Sequence, residues 1–266
     1  MNIIRLLKMA KFPFVTFINM TKNVRNKIRE KIYKYNDYVF SFKGINTKFY
    51  LPYYKEDWIQ NHIYNDKNYF EYSELNYICK ELKSGCVGRS INGNTVLDIG
   101  ANIGNHTLYF VNECGAALSY CFEPMFSTFE MLKKNIEINN IRESVRLHNV
   151  CVGSESGKAT VSSFDVRNIG GTTVETKADG ELDMVSIDEL TFWGRISLIK
   201  IDVEGFEIQV LKGAVNTIKN NHPIVIIEIR DSNYNESNEI LASLGYRGTV
   251  ISKDYGFSNY LYEYIN

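Results

Sequence analysis

The chain has 266 residues, 44% hydrophobic and 23% charged, and its 30 Lys and Arg nearly balance 31 Asp and Glu for a formal charge of −1. These are the proportions of a soluble globular enzyme, with length for one large α/β domain and an extension. No stretch is apolar for long enough to cross a bilayer, so a membrane-spanning chain is not expected.

The charge is unevenly placed. Residues 1–36 read as a basic helical arm, with nine Lys or Arg up to residue 34 against the single acid Glu30. Ile3, Leu7, Ala10 and Phe14 share a helical face that Pro13 interrupts, and Val24, Ile28, Ile32 and Tyr35 form a second stripe. Arg5, Lys8 and Lys11 break the apolar run a signal peptide would need, and no small-residue cleavage site follows. Two readings stay open: a solvated basic helix packed on the body, or a peripheral contact with a membrane leaflet or another anionic carrier. The expected location is cytoplasmic, with or without that contact. Basic and aromatic residues do not interleave as a compact reader motif, so no nucleic-acid partner is expected.

Residues 37–92 read as an N-terminal cap. Tyr38–Phe42 and Lys48–Leu51 look like two strands joined around Gly44-Ile45-Asn46. Tyr72–Leu82 has helical spacing, with Tyr72, Leu75, Ile78, Cys79 and Leu82 turned inward. The aromatics Tyr53, Tyr54, Trp58, Tyr64, Tyr69 and Phe70 are expected mainly to fill a small satellite core, although such side chains also suit the roof of a ligand site.

Residues 93–266 alternate strand and helix. Thr95–Asn105 gives an apolar strand (Val96, Leu97, Ile99) that carries Asp98, turns through Gly100 and Gly104, and enters a helix with Leu108, Phe110 and Val111. A dinucleotide loop would need glycine at Asn102, and a phosphate loop would need Gly-Lys-Ser/Thr where Gly104-Asn105-His106 stands, so neither pattern is met. Leu118–Phe122 is a second strand ending at Glu123-Pro124, the position that faces a ribose in a doubly wound sheet. Met125, Phe129, Leu132 and Ile136 mark a packed helix, and Val145–Val150 a third core strand. Ala159–Phe164 and Leu182–Ile187 read as strands, with Asn168–Thr173 as a mobile polar loop between them. Residues 197–214 give a strand, Asp202 and Glu204 at its carboxyl end, Gly205, and a helix with Ile208, Leu211 and Val215 on one face. Ile224–Ile229 is a doubly buried strand carrying Glu228, and Arg247–Ile251 with Tyr260–Tyr264 form a closing pair. Five scattered cysteines lack a Cys-x-x-Cys pair, and the four histidines lack metal spacing, so zinc is not expected.

The string Asp-x-Gly-x-Asn-x-Gly from Asp98 to Gly104 resembles the first motif of S-adenosylmethionine-dependent methyltransferases. Ile-Lys-Ile-Asp-Val-Glu-Gly-x-Glu-x-x-Val-Leu-x-Gly-Ala resembles the signature of the FkbM family of methyltransferases. The order of Phe122-Glu123-Pro124, Asn135 and Asn139, His148-Asn149, Val185–Asp188 and Pro223–Glu228 is similar to that family too, over about residues 70–265. The resemblance implies a Rossmann-like, doubly wound, mostly parallel α/β sheet of the class I type with an antiparallel edge, preceded by the helical and hairpin extension. It implies S-adenosylmethionine as cofactor, held by Asp98, Gly100, Ala101, Asn102, Gly104, Asn105, Glu123, Pro124, Asn149, Val150 and Asp202. Glu71 stands where FkbM members carry a Tyr-Glu pair and is a further cofactor neighbour, with Phe70 replacing the tyrosine.

Methyl transfer to oxygen then needs an acceptor hydroxyl in line with the S–CH₃ bond and a base for its proton. Asp202, Glu204 and Glu228 end adjacent strands on one edge and are the candidate bases, with His106 as competitor. The same three acids could ligate a divalent cation, a reading not favoured here. The expected function is O-methylation of a saccharide or glycoconjugate hydroxyl. The alternatives are O-methylation of a non-sugar small molecule, or a cofactor-binding accessory protein without turnover.

Overall fold

The computed structural model describes residues 37–83, 91–165 and 167–265, together with Asn26. The rest of the basic arm, and Cys86, lie outside the described residues.

In the cap, β1 (Val39–Ser41) and β2 (Lys48–Tyr50) pair antiparallel with Val39 opposite Tyr50. Helix α1 (Trp58–Asp66) follows where the sequence pattern offers only an aromatic run; its N-cap Asp57 accepts from the Gln60 amide at 3.1 Å. Helix α2 (Tyr72–Lys83) buries Leu75, Ile78 and Cys79. Tyr72 does not turn inward as expected. It sits in the helix's first turn, exposed, with its ring edge-on to Tyr109.

The body runs β3 (Thr95–Ile99), α3 (Asn105–Asn112), β4 (Leu118–Phe122), α4 (Phe126–Ile138), β5 (Val145–His148), β6 (Cys151–Val152), β7 (Gly157–Asp165), β8 (Asn168–Thr176) and β9 (Leu182–Val185). It continues through β10 (Ile196–Ile201), α5 (Glu207–Lys212), α6 (Val215–Asn221), β11 (Ile224–Arg230), α7 (Tyr234–Ser243), β12 (Tyr246–Lys253) and β13 (Phe257–Tyr264). The main sheet has the order β12-β13-β11-β10-β3-β4-β5. Strands β11 to β5 are parallel and β13 and β12 antiparallel, the Rossmann-like arrangement with an antiparallel edge. From β3 the chain builds outward to β4 and β5, and from β10 in the opposite direction, so the topological switch falls between β3 and β10. Their residues are buried throughout, which is why they read as near-continuous apolar runs.

Three sequence expectations need correction. The third core strand stops at His148, and Cys151–Val152 begins a second sheet, ordered β6-β9-β7-β8. The Asn168–Thr173 stretch is not a loop but most of β8, paired with β7 from Ala159↔Thr176 to Asp165↔Asn168; its threonines and Val174 suit a pleated surface. The helix after the signature is broken at Gly213, where the chain passes so close to the Gly153 carbonyl that any Cβ would collide with it; Val210, Leu211 and Ile218 carry the burial instead of Ile208 and Val215.

Cap and body share one core, in which Phe49, Leu51 and Ile63 join Ile103, Leu108, Phe110 and Met131. Two amides of α4 serve β2 as a pairing edge. Asn135 accepts from the Tyr50 amide at 2.6 Å and donates to the Ile103 carbonyl at 2.8 Å. Asn139 accepts from the Lys48 amide at 2.8 Å and donates to the Lys48 carbonyl at 2.7 Å.

Candidate active site

A cavity of about 430 Å³ opens at the carboxyl edge of the sheet, at the switch point between β3 and β10. Of the residues singled out from sequence, Gly100, Asn102, Glu123, Pro124, Val150, Asp202, Glu204, Glu228 and Glu71 line it. The others support its walls. Asp98 is fully buried: Thr107 Oγ1 donates to its Oδ2 at 2.5 Å, and its Oδ1 lies 3.6 Å from Lys200 Nζ. Ala101 and Gly104 form the turn, Gly104 capping α3 at φ +90. Asn105 pairs with the Phe70 backbone in both directions at 3.0 Å, which pins the cap segment carrying Phe70 and Glu71 against α3. Asn149, one of the residues the resemblance assigns to the cofactor, donates to the carbonyls of Glu123 at 2.8 Å and Pro124 at 2.9 Å, while its neighbour Val150 lines the cavity.

Glu123 ends β4 with both oxygens engaged by backbone: the Asn102 amide donates at 3.0 Å and the Met125 amide at 2.8 Å. Burial pushes its carboxyl up to about 7 despite those two bonds. A carboxylate has about four lone-pair positions, so each oxygen keeps one for a hydroxyl donor.

Across the turn, the carboxylate oxygens of Asp202, Glu204 and Glu228 lie within 4.8 Å of one another. Asp202 Oδ2 is 3.2 Å from Lys200 Nζ, which also donates to the Gly100 carbonyl at 2.8 Å. Burial alone would lower the Lys200 pKa, but Asp202 and Asp98 outweigh it and the net shift is upward. Glu204, left-handed at φ +53, accepts from Arg230 Nη2 at 3.2 Å. Burial and the charge of Asp202 raise it to about 7. Burial, and then the charges of Asp202 and Glu204, push Glu228 well above the ordinary carboxyl range. His106 does not line the main cavity. Its Nε2 lies 3.3 Å from Glu71 Oε2, and it opens onto a small pocket of about 20 Å³ shared with Lys200, Asp202 and Glu228.

Sequence reasoning offered the cap aromatics as a roof, and Trp58 and Phe70 do line the cavity, but it missed the part that β8 plays. The start of β8 crosses to the cap, where Asp57 Oδ2 accepts from the Ile169 amide at 3.1 Å and the Trp58 amide donates to the Arg167 carbonyl at 3.1 Å. Asn168, Ile169 and Gly170 thereby cover the cavity beside Trp58 and Ile59, and Ser252, Lys253 and Asp254 close it from the β12–β13 hairpin. The alternating Thr and Val of β8 were the available signal. Lys200 was visible as a lone cation inside the apolar run Ile196–Ile201.

A doubly wound sheet with a glycine turn at its switch point and acids closing the adjacent strand ends defines the Rossmann-like methyltransferase class. The family model for the methyltransferase FkbM domain matches residues 98–258, and the chain belongs to that family. Methyltransferase 1 of Beauveria bassiana is 26% identical over 212 residues, 68% of this chain and 85% of that protein. Hexuronic acid methyltransferase AglP of Haloferax volcanii is 30% identical over 135 residues, 50% of this chain and 54% of AglP. The solved structure of an FkbM methyltransferase from Methylobacillus flagellatus KT matches at 21% identity and a TM-score of 0.48, covering 65% of this chain and 44% of that one. The matched part thus spans about half the length of AglP and less than half of the solved chain.

Proposed function

We propose that the protein transfers the methyl group of S-adenosylmethionine to a hydroxyl oxygen of a saccharide or glycoconjugate. The observation that carries this reading is the meeting, in one cavity, of the glycine turn and Glu123 with Asp202, Glu204 and Glu228. Similarity to a protein named for hexuronic acid methylation supports a sugar acceptor.

The residues fit the cofactor. Gly100 lets the first turn lie directly against the Asp202 backbone at the cavity wall, where any Cβ would collide with the Asp202 carbonyl, and Glu123 keeps lone pairs for two ribose hydroxyls. Gly100 and Asn102 would hold the methionine end, and Pro124 and Val150 the base. S-adenosylmethionine supplies an electrophilic methyl on its sulfonium. The chain's own part is to aim an acceptor oxygen and remove its proton. Asp202 is the base, its carboxylate held by Lys200; Glu228 donates a hydrogen bond to the acceptor, and Arg230 holds Glu204 aside. A metal is the weaker reading, because the Arg230 pairing of Glu204 and the Lys200 pairing of Asp202 reduce the charge this cluster offers a cation.

The test is incubation of the purified chain with methyl-labelled S-adenosylmethionine and a panel of glycans and small alcohols. Label on a sugar oxygen supports the reading. Label on nitrogen or carbon only, or no label with cofactor bound, rejects it.

A further inference from the structure

The acceptor's charge and shape can be taken further, on the basis of the methyl-transfer reading above. Among the described residues, the cavity wall carries seven carboxyl side chains, the five acids already named together with Glu74 and Asp254, against one cation, Lys253. Two more cations stand behind it, but Lys200 is held between Asp98 and Asp202, and Arg230 on Glu204. Such a wall offers little counter-charge to a substrate carboxylate or phosphate, and bringing a like charge against it is costly.

At the mouth stands Trp58, 57% exposed although it opens a capped helix and its amide is bonded to the Arg167 carbonyl. Its ring lies 4.1 Å from His62, tilted at 54°, and His62 in turn meets Phe70 edge-on at 5.9 Å, so the indole belongs to a small aromatic cluster. An exposed indole lining a cavity that also carries Asn168, Asp254 and Asn259 is an apolar platform in the same site as hydrogen-bonding groups. A sugar ring has the complementary surface: an apolar face of C–H groups and a rim of hydroxyls.

We propose that the acceptor is a sugar ring without an anionic group, packed face-on against Trp58, and that uronates and phosphorylated sugars are excluded by the acidic wall. The experiment compares methyl transfer by the full chain to a neutral alkyl glycoside and to the matched uronide, with cofactor binding measured in parallel by calorimetry. The uronide should show at least a tenfold lower kcat/KM. Trp58→Ala should raise the acceptor KM about three- to tenfold, with kcat and cofactor affinity nearly unchanged, and Trp58→Phe should recover part of the loss. Asp254→Lys should narrow the preference for the neutral sugar. Equal use of both sugars, or an unchanged KM in Trp58→Ala, overturns this inference while methyl transfer to sugars stands. No transfer to any sugar with cofactor bound overturns the function itself, and this inference with it.

Discussion

Gly100→Ala should damage the site more than any other single methyl addition in the turn. Gly100 sits at φ +78, and a Cβ there would lie 1.7 Å from the Asp202 carbonyl oxygen, whereas ordinary contact begins at 3.4 Å. The end of β10 must therefore move by 3.4 − 1.7 = 1.7 Å relative to the turn. The turn cannot slide away freely: the amides of Gly100 and Ala101 both donate to the Phe122 carbonyl at 3.0 Å, and Lys200 donates to the Gly100 carbonyl. The movement falls on Asp202, whose amide donates to the Ile99 carbonyl at 3.0 Å. Left-handed backbone costs alanine about 1–2 kcal/mol and loss of that bond about 1 kcal/mol, so the variant should lose about 2–3 kcal/mol. In a domain of this size that is a fall in Tm of roughly 5–10 °C. Misplacement of a reacting group by about 1 Å can cost ~10²-fold in rate, and the shift here is larger, so methyl transfer should fall by at least that factor. Gly104→Ala is the control. Its Cβ would meet the flexible end of Leu132, and its losses should be smaller. Thermal scans with labelled-methyl assays decide it; a Gly100→Ala protein that melts and turns over like the wild type would refute the account of the turn.

Glu123→Ala should cost about 1.5–3 kcal/mol of cofactor affinity, the range for hydrogen bonds to a charged group, as read by calorimetry. Because Glu123 is raised to about 7 and the ribose bonds need the carboxylate, wild-type affinity should weaken about tenfold from pH 8 to pH 6, and Glu123→Gln should flatten that slope. Asp202→Asn should lower turnover by about 10²–10⁴-fold with much of the cofactor affinity kept, and His106→Ala clearly less; the reverse ranking, measured with cofactor bound, would make His106 the base. Glu228 has a folded pKa above its ordinary 4.5, so its contribution to stability is full below that value and is lost as pH rises toward about 10. Glu228→Gln cannot ionise and should raise Tm increasingly between pH 5 and pH 9 relative to wild type, on scales set by those two values; a Tm difference independent of pH would contradict the burial argument. Chelation should leave turnover unchanged, and a loss restored by added Mg²⁺ would assign the Asp202, Glu204 and Glu228 cluster to a metal.

The parallel strands were legible because burial on both faces leaves little choice of residue: Val96–Ile99, Leu118–Phe122 and Ile224–Ile229 announce themselves as apolar runs ending at Asp98, Glu123 and Glu228 or next to them. The part of the roof that β8 supplies was not legible, because its meaning is tertiary. Nothing in Asn168-Ile169-Gly170-Gly171 says that the Ile169 amide will find Asp57, which is 112 positions away, and without that bond the stretch has the composition of a loop. Helix α1 hid for a related reason: its aromatics serve two masters, with Tyr64 tilted against Tyr54 at 4.3 Å in the cap core and Trp58 lining the cavity, so no single apolar stripe repeats. Motif membership also proved different from cavity membership. Asp98 and Asn149 belong to the family pattern, yet one is buried on Thr107 and Lys200 and the other fastens the Glu123-Pro124 backbone.

That last difference indicates what the motifs encode. Among the described residues, six non-glycine positions have positive φ, and three of them, Glu71, Asn102 and Glu204, line the one cavity from separate parts of the chain. Left-handed backbone is unfavourable for side chains with a Cβ and persists where the surroundings over-determine it. Here the surroundings are visible: Asn105 pins the Phe70 backbone beside Glu71, Glu123 accepts from the Asn102 amide, and Arg230 holds the Glu204 carboxylate. The string Asp98-to-Gly104 and the string Asp202-to-Gly205 are therefore geometric prescriptions first. They fold two turns toward each other so closely that only glycine fits at position 100, and Lys200, buried between Asp98 and Asp202, ties the two together. A buried ammonium between two carboxylates is a poor source of stability when compared with apolar packing. Its place here is better explained by position: it fixes the Asp202 carboxylate relative to the Gly100 carbonyl, the distance on which proton removal beside the glycine turn depends. On that argument Lys200→Met alone, which leaves the buried Asp98 without its cation, should cost about 3–5 kcal/mol of stability, whereas Lys200→Met with Asp98→Asn should recover much of the stability but not the turnover; a double variant with wild-type turnover would show that the ion pair orients nothing.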